Sequence, residues 1–150
     1  MDGVLTDGGM YYTDKGDIMK KFFTRDGMGV TLLKKHNIPT IIVTKENTKM
    51  VKQWAKRMKV AALYDGITQK ESILDSICKD YKITVKEVAY VGDDVNDIGL
   101  LKKVGFAVVP NDGTNEARVV SDYICKNKGG NGAFREVVDL ILQARSHNNA

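Results

Sequence analysis

Residues 88–97 read Val-Ala-Tyr-Val-Gly-Asp-Asp-Val-Asn-Asp, a short apolar run followed directly by three carboxylates. The apolar run predicts a buried strand, and in open α/β sheets the chemistry collects at the carboxyl ends of such strands. Three like charges this close together repel one another unless a cation or a lysine lies nearby. Carboxylate oxygens of this kind suit Mg²⁺. The alternative is an acidic helix N-terminus, because aspartate is also favoured there.

The same alternation of apolar strands and helical runs continues along the chain. It predicts four or five parallel strands ending near residues 43, 64, 91, 108 and 125, with helices between them. A β-hairpin is expected over about residues 9–23, and residues 146–150 are expected to fray. The expected fold class is therefore α/β, with residues 1–150 forming one domain.

The composition is ordinary for a soluble globular domain, with 43% hydrophobic and 28% charged residues in a chain of 150. No apolar run approaches the roughly 20 residues that a membrane span needs. The two cysteines, Cys78 and Cys125, are isolated and lack metal-ligand spacing. They are expected to be reduced thiols, which suits a cytoplasmic protein.

A net charge of +4 raises the question of nucleic-acid binding. The lysines are spread along the chain, and no recognition motif or interleaving of aromatic and basic residues accompanies them. They are interpreted as solvated surface, with attraction of a small anionic substrate as the alternative. Neither a nucleic-acid partner nor a membrane partner is expected.

Two further polar residues stand directly after a predicted strand or at the start of a predicted helix. Thr44 follows the predicted strand over residues 41–43, where a hydroxyl and free N–H groups can cradle a phosphate. A plain N-cap is the alternative. Lys70 is predicted to begin a helix, where the dipole disfavours a cation, so a compensating carboxylate or phosphate is expected. A solvated lysine is the alternative.

The opening residues 1–9, Met-Asp-Gly-Val-Leu-Thr-Asp-Gly-Gly, crowd Asp2 and Asp7 around a glycine turn. Catalytic carboxylates usually lie where a buried strand ends, yet no strand is predicted before Asp2. A bland glycine turn flanked by aspartates is the alternative.

Taken together, Asp2-to-Gly8, Thr44, Lys70 and the segment 92–97 resemble the haloacid dehalogenase-like phosphatases in order and spacing. Within that family they resemble the small branch without a cap that includes 3-deoxy-manno-octulosonate 8-phosphate and nonulosonate 9-phosphate phosphatases. The hairpin and residues 129–136, Gly-Gly-Asn-Gly-Ala-Phe-Arg-Glu, also fit this branch. The resemblance implies a three-layer, Rossmann-like parallel sheet with a small hairpin insertion.

The resemblance also implies the role of each residue. Asp2 would be the general acid and base, with its backbone carbonyl ligating the metal. Asp93 would ligate Mg²⁺, with Asp94 and Asp97 close by, and Thr44 and Lys70 would hold the phosphate. The family's attacking aspartate would come just before Met1, at the end of a first central strand that this sequence does not contain. The working protein is therefore expected to be longer by about one strand ending in aspartate.

Three residues bear on the substrate. Lys45 stands where the family commonly has glycine after the threonine. Glu46 and Arg57 are eleven residues apart, about three helical turns, so both could face one pocket. A similar acidic and basic pair in the nonulosonate branch helps to recognise the sugar acid. Ordinary surface positions are the alternative for each of them.

The resemblance further implies a homotetramer in which the hairpin of one subunit covers the site of a neighbour. Apolar residues in the hairpin fit an interface, with burial against their own domain as the alternative. The leading hypothesis is a phosphatase of a phosphorylated sugar acid. The alternative is a non-catalytic domain for oligomerisation or regulation, similar to the C-terminal domain of animal-type CMP-sialic acid synthetases. A basic binding module has little support.

Overall fold

The computed structural model describes residues 1–148. A β-hairpin comes first, and helices and short strands then alternate to the final helix. The strands are β1 (Tyr11–Thr13), β2 (Gly16–Met19), β3 (Ile41–Val43), β4 (Ala62–Tyr64), β5 (Ala89–Val91), β6 (Phe106–Val109) and β7 (Tyr123–Ile124). The α-helices are α1 (Thr24–Lys35), α2 (Lys49–Met58), α3 (Leu74–Tyr81), α4 (Ile98–Leu101), α5 (Asn115–Val119) and α6 (Ala133–Asn148).

Five parallel strands are present, as expected, but they form two sheets. β3 pairs with β4, with Ile41 opposite Ala62, and β5, β6 and β7 form the second sheet in that order. No strand within residues 1–148 joins the two sheets. Each sheet therefore has an outer strand, β3 or β5, with one edge that no described strand pairs.

The central strand β6 shows why helices cover both faces of the larger sheet. Alternate side chains of a strand point to opposite faces. Ala107 and Val109 pack with residues of α3, α4 and α5, whereas Val108 packs with Cys125 and with Val137 of α6. All three β6 residues are almost completely buried. The result is the three-layer arrangement expected from the alternation of strands and helices.

The opening residues are part of the core. Met1, Val4 and Leu5 pack with residues of β3 and α2, including Ile42 and Val51. They form a tight turn in which the Leu5 N–H donates to the Met1 carbonyl at 2.9 Å. Beside this cluster the rings of Phe22 and Trp54 stack at a centroid distance of 5.1 Å. The opening turn is thus fixed by packing on the β3–β4 half of the molecule.

Helices α1 and α6 pack against each other, and a buried carboxylate joins them. Asp26 of α1 accepts hydrogen bonds from the backbone N–H groups of Gly132, at 3.3 Å, and Arg135, at 2.9 Å. These groups lie at the N-terminal end of α6, where backbone donors lack partners within the helix. A Cβ at Gly29 of α1 would lie 3.1 Å from Val138, so glycine permits the close approach of the two helices.

Several predicted boundaries differ from the structure. The helix expected from Lys70 begins as a 3₁₀ turn, Lys70–Ile73, before α3. Fraying was expected from Ser146 onwards. This prediction was wrong for residues 146–148, because α6 continues to Asn148. Hydrogen bonds hold this end: the Arg145 guanidinium donates to the His36 carbonyl, and the Ser146 hydroxyl to the Gln143 carbonyl. Residues 149 and 150 lie outside the described residues.

Among residues 1–148, no helix has the length and apolar character that crossing a membrane requires.

Candidate active site

A buried ion pair between Lys70 and Asp97 lies at the centre of the site. Lys70 Nζ is 2.6 Å from Asp97 Oδ1, and the two side chains are 7% and 2% exposed. A buried charge needs a partner, and each of these charges supplies one to the other. The pair also explains why a lysine is tolerated at the start of a helical segment. The compensating anion expected there is the carboxylate of Asp97.

The two carboxylate oxygens of Asp97 accept hydrogen bonds from four donors. Oδ1 accepts from Lys70 and from the hydroxyl of Tyr90, at 2.5 Å, while Oδ2 accepts from the backbone N–H groups of Asp93, at 2.9 Å, and Asp94, at 3.3 Å. Burial alone would raise the pKa of Asp97, but the Lys70 ammonium and these hydrogen bonds hold that pKa below its ordinary value. Asp97 therefore fixes both the lysine and the backbone that carries Asp93.

Among residues 1–148, no ion pair joins the carboxylate of Asp93 to a cation. Burial, and then the neighbouring Asp97 carboxylate, raise the pKa of Asp93 to about 6, against the opposing effects of the N-terminal ammonium and Lys70. The side chain lies against the opening turn. A Cβ at Gly3, whose φ is +71°, would fall 1.9 Å from Asp93 Oδ2. Glycine at this position thus lets the backbone of residues 2–4 approach the carboxylate.

The side chains of the site can bind Mg²⁺ only if further oxygen ligands, which are not side chains, also take part. No group of three or more His, Cys, Asp and Glu side chains able to hold a metal occurs among residues 1–148. Mg²⁺ is commonly bound through one or two carboxylates, with waters and substrate phosphate completing the octahedron. Asp93 and the nearby backbone carbonyl of Asp2 suit that mode. The raised pKa of Asp93 marks a crowding of negative charge that a cation would relieve.

The carboxylate of Asp2 is held by two residues that the sequence interpretation missed. Lys20 Nζ lies 3.2 Å from Oδ1 and 3.1 Å from Oδ2, and the Thr6 hydroxyl donates to Oδ1 at 3.1 Å. Burial opposes the charge on Lys20, but hydrogen bonds to Asp2 and Asp17 outweigh this and raise the pKa of the ammonium.

Thr44 lies at the end of β3, where it was expected. Its side chain is buried, and Oγ1 accepts from the Glu46 N–H at 3.1 Å, which leaves the hydroxyl proton free to be donated. The alternative of a plain N-cap was wrong. Helix α2 begins at Lys49, and Thr48 is its cap, accepting from the Val51 N–H at 3.3 Å.

The remaining predicted residues lie farther from this centre. Asp94 is an N-cap that accepts from the Val95 N–H at 2.7 Å, so the alternative of an acidic helix N-terminus holds for this residue. Lys45 is exposed, Glu46 is half-buried, and Arg57 is exposed in the last turn of α2. Within the described chain no ion pair joins Glu46 to Arg57.

The amino group of Met1 lies among the charged residues of the site. It is completely buried, and this burial and then the Lys70 ammonium lower its pKa. The carboxylates of Asp97, Asp93 and Asp2 act on it in the opposite direction. The structure therefore brings Asp2, Lys70, Asp93 and Asp97 around one point next to Met1.

A glycine-rich loop covers the opening turn from the other side. The Gly130 N–H donates to the Val4 carbonyl at 2.9 Å, and the Gly129 N–H donates to Asp112 Oδ1 at 2.9 Å. A Cβ at Gly129 would fall 1.8 Å from the Gly3 carbonyl oxygen. This direct contact of two backbones explains why glycine occupies positions 129 and 130.

Comparison with known proteins identifies the family of this chain. Residues 17–137 match the haloacid dehalogenase-like hydrolases. The 3-deoxy-D-manno-octulosonate 8-phosphate phosphatase of Salmonella typhi is 35% identical over 145 residues, which are 97% of this chain and 77% of that protein. The corresponding phosphatase of Haemophilus influenzae is 30% identical over 145 residues, 97% of this chain and 81% of that protein.

Solved structures of phosphatases are also similar to this chain. The phosphatase of Moraxella catarrhalis, crystallised with magnesium, phosphate and a KDO molecule, superimposes with a TM-score of 0.92 at 37% identity, covering 96% of this chain and 83% of that one. The cobalt-bound Haemophilus influenzae enzyme gives a TM-score of 0.94 at 29% identity, covering 97% and 85%. The resemblance inferred from the motifs and the expected α/β fold class are confirmed. The chain belongs to the haloacid dehalogenase-like hydrolase family.

Proposed function

We propose that this protein is a Mg²⁺-dependent phosphatase of a 2-keto-3-deoxy sugar acid, with 3-deoxy-manno-octulosonate 8-phosphate as the first candidate substrate. The observation that carries the proposal is the convergence of Asp2, Lys70, Asp93 and Asp97 around one point. A scaffold has no need to hold carboxylates together at the cost of their solvation. The names of the relatives support the substrate class.

Each residue has a distinct role in the proposed reaction. Asp93 and the Asp2 carbonyl hold the metal ion, which neutralises phosphoryl charge when bound. Lys70 and Thr44 donate hydrogen bonds to the phosphoryl oxygens as charge grows on them. When the attacking aspartate expected before Met1 forms a bond to phosphorus, the Asp2 carboxyl gives its proton to the leaving sugar oxygen. The Asp2 carboxylate then takes a proton from the water that attacks the resulting aspartyl-phosphate, and this second attack restores the aspartate and releases inorganic phosphate. Asp97 keeps Lys70 and the backbone at Asp93 in place.

We also propose the position of the attacking group. An aspartate directly before Met1, at the end of a strand between β3 and β5, would complete the site. One observation supports this: each of the two parallel sheets has an outer strand, β3 or β5, with an edge that no described strand pairs.

The test is a phosphatase assay on the chain extended upstream by one strand ending in aspartate. We expect Mg²⁺-dependent release of phosphate from 3-deoxy-manno-octulosonate 8-phosphate, and its loss on adding EDTA. A matched extension ending in asparagine should be inactive although equally folded. A folded, Mg²⁺-binding extended chain that hydrolyses no 2-keto-3-deoxy sugar phosphate would contradict the proposal and favour the non-catalytic domain.

A nonulosonate 9-phosphate is the second candidate substrate. Glu46 is half-buried, and its backbone N–H donates to the Thr44 hydroxyl, so the residue follows the proposed phosphate site closely along the chain. Arg57, in the last turn of α2, is proposed to contact the sugar acid together with Glu46. In the active enzyme, Glu46→Ala and Arg57→Ala should raise the KM for the preferred substrate by about tenfold with little change in kcat. Equal KM values in variants and parent would remove both residues from the site.

The proposed working form is a cytoplasmic homotetramer of single-domain subunits. Its support is the hairpin, where Met10, Tyr12 and Ile18 are 71%, 66% and 61% exposed. Large apolar side chains on a projecting element mark interaction surfaces. In the proposed assembly the hairpin covers a neighbour's site, which limits access of water to the reacting groups.

A further inference from the structure

Lys20 directly follows β2 and lies close to the carboxylate of Asp2. Its ammonium contacts both Asp2 oxygens, at 3.2 and 3.1 Å, and Asp17 Oδ2 at 3.1 Å. An ammonium carries three N–H donors, and here each has an acceptor. The Lys20 side chain is only 4% exposed, which is unusual for a lysine. Lys20 is therefore a fixed part of the structure.

Thr6 also holds Asp2, and it joins the opening turn to the end of the hairpin a second time. Thr6, which is 1% exposed, donates from its hydroxyl to Asp2 Oδ1 at 3.1 Å. The backbones of Thr6 and Phe22 form an antiparallel bridge two residues beyond Lys20. The Asp2 carboxylate is thus held between a hydroxyl of its own turn and an ammonium from the end of the hairpin.

We infer that Lys20 is a positioning residue of the phosphatase: it fixes the rotamer of the Asp2 carboxylate and couples it to the hairpin. This inference rests on the proposed role of Asp2 as the acid and base. A catalytic group that transfers a proton must lie within hydrogen-bond reach of its target, and a displacement of about 1 Å can cost about a hundredfold in rate. A carboxylate held on two sides meets that requirement better than one free to rotate.

The inference also gives the hairpin a role at its own subunit's site. Because Lys20 follows β2 without an intervening residue, a displacement of the hairpin displaces the ammonium. Asp17, within β2, holds the same ammonium from the hairpin side. Contacts that order the hairpin therefore also order Asp2.

The first test compares Lys20→Met with Lys20→Arg in the extended, active chain. Lys21→Met is a matched control, because Lys21 is the next residue, is exposed, and makes no ion pair within the described chain. With 3-deoxy-manno-octulosonate 8-phosphate and Mg²⁺, we expect Lys20→Met to lower kcat about tenfold to a hundredfold. KM should stay within about threefold, since Lys20 is not proposed to bind substrate.

Lys20→Arg should recover at least part of the lost kcat, because a guanidinium can also pair with both carboxylate oxygens. Lys21→Met should match the parent. A kcat for Lys20→Met within about twofold of the parent, or the same loss in Lys21→Met, would overturn the inference. If Lys20→Met does not fold, Lys20→Gln replaces it with the same expectation.

A second measurement does not depend on turnover. Amide hydrogen exchange should become faster in residues 2–8 of Lys20→Met and stay unchanged in α6, because the Gly8 N–H is protected by Thr6. Lys21→Met should exchange like the parent. Unchanged exchange in residues 2–8 would refute the link between Lys20 and Asp2. If the parent itself shows no turnover, the proposed function fails, while this measurement still decides whether Lys20 holds the opening turn.

Discussion

At the scale of single residues, the site depends on the hydrogen bonds that the two oxygens of one carboxylate accept. Asp97 Oδ1 receives both the Lys70 ammonium and the Tyr90 hydroxyl, and Oδ2 receives two backbone donors. A buried carboxylate with this many donors stays ionised, so it can hold the Lys70 ammonium in place.

Tyr90→Phe removes only that hydroxyl. We expect a loss of about 1–3 kcal/mol in the free energy of unfolding, because a hydrogen bond to a buried charge is lost. Urea unfolding measures this. Tyr81→Phe is the control, since Tyr81 makes no side-chain hydrogen bond within the described chain. Equal midpoints for Tyr90→Phe and the parent would show that the Tyr90 hydroxyl contributes nothing to holding Asp97.

At the scale of elements, three sets of contacts fix the loop between β7 and α6. Gly129 and Gly130 lie against the backbone of the opening turn, and Asp26 of α1 accepts from the first N–H groups of α6. On the other side of the loop, Glu136 accepts from Tyr123, Lys126 and Asn127. The loop therefore supports the turn that carries Asp2.

Gly129→Ala tests the contact between the two backbones. An added Cβ would lie 1.8 Å from the Gly3 carbonyl oxygen, so the loop or the turn must move. We expect a loss of about 1–3 kcal/mol in the free energy of unfolding, as for other overpacked sites. Lys128→Ala, at an exposed neighbouring position, should change it by less than about 0.5 kcal/mol. A stable Gly129→Ala protein with parental hydrogen exchange in residues 2–8 would contradict the contact.

Asp26 predicts a pH dependence of stability. Burial raises the pKa of its carboxyl, although the two backbone donors oppose the effect. A carboxyl with a raised pKa in the folded state stabilises most below its ordinary pKa of about 3.9 and loses that contribution as pH rises through the folded value. The free energy of unfolding of the parent, minus that of Asp26→Asn, should therefore fall as pH rises from about 4.

Urea unfolding of both proteins between about pH 4 and pH 8 gives this difference directly, and charges elsewhere cancel in it. Asp139→Asn, at an exposed carboxylate paired with Arg135, should give a difference with little pH dependence. A difference that rises with pH for Asp26→Asn would show that the backbone donors outweigh burial.

These elements also show how far the sequence can be interpreted by itself. Apolar runs located the five parallel strands, and the helices were placed with errors mainly at their ends, because end positions depend on local hydrogen bonds such as those of Arg145 and Ser146. Lys70 and Asp93 were singled out because they begin a helical segment and follow a strand, whereas Asp2 was singled out by the motif of the opening turn. Their convergence could be expected from the topology of a parallel sheet.

Lys20 and Asp26 could not be found in this way. Lys20 is 18 residues from Asp2 along the chain, and Asp26 is 109 residues from Arg135, so no local pattern joins the partners. Lys20 also lies in a run of two lysines that is typical of solvated surface. Tyr90 is different. It lies within the segment 88–97 that the sequence analysis singled out, and only its hydrogen bond to Asp97 was not predicted.

At the scale of the whole molecule, the hairpin exposes large apolar side chains, and β3 and β5 each have an edge that no described strand pairs. Tyr12→Glu should shift the protein towards smaller species, because it replaces an apolar ring of the proposed interface, 66% exposed in the subunit, with a charged side chain. Light scattering coupled to size exclusion measures the mass. Lys15→Glu, in the turn between β1 and β2, controls for the added negative charge. A parent that is monomeric at high concentration would contradict the tetramer.

The contact between Asp26 and Arg135 has a consequence for protein synthesis. The ribosome makes a chain from its N-terminus at roughly 5–20 residues per second, so the 109 residues between these partners take roughly 5–20 s. During that interval α1 exists without the donors that satisfy its buried carboxylate. An ionised Asp26 then favours exposure of this face of α1 to water, which delays burial against a wrong partner until α6 has been made.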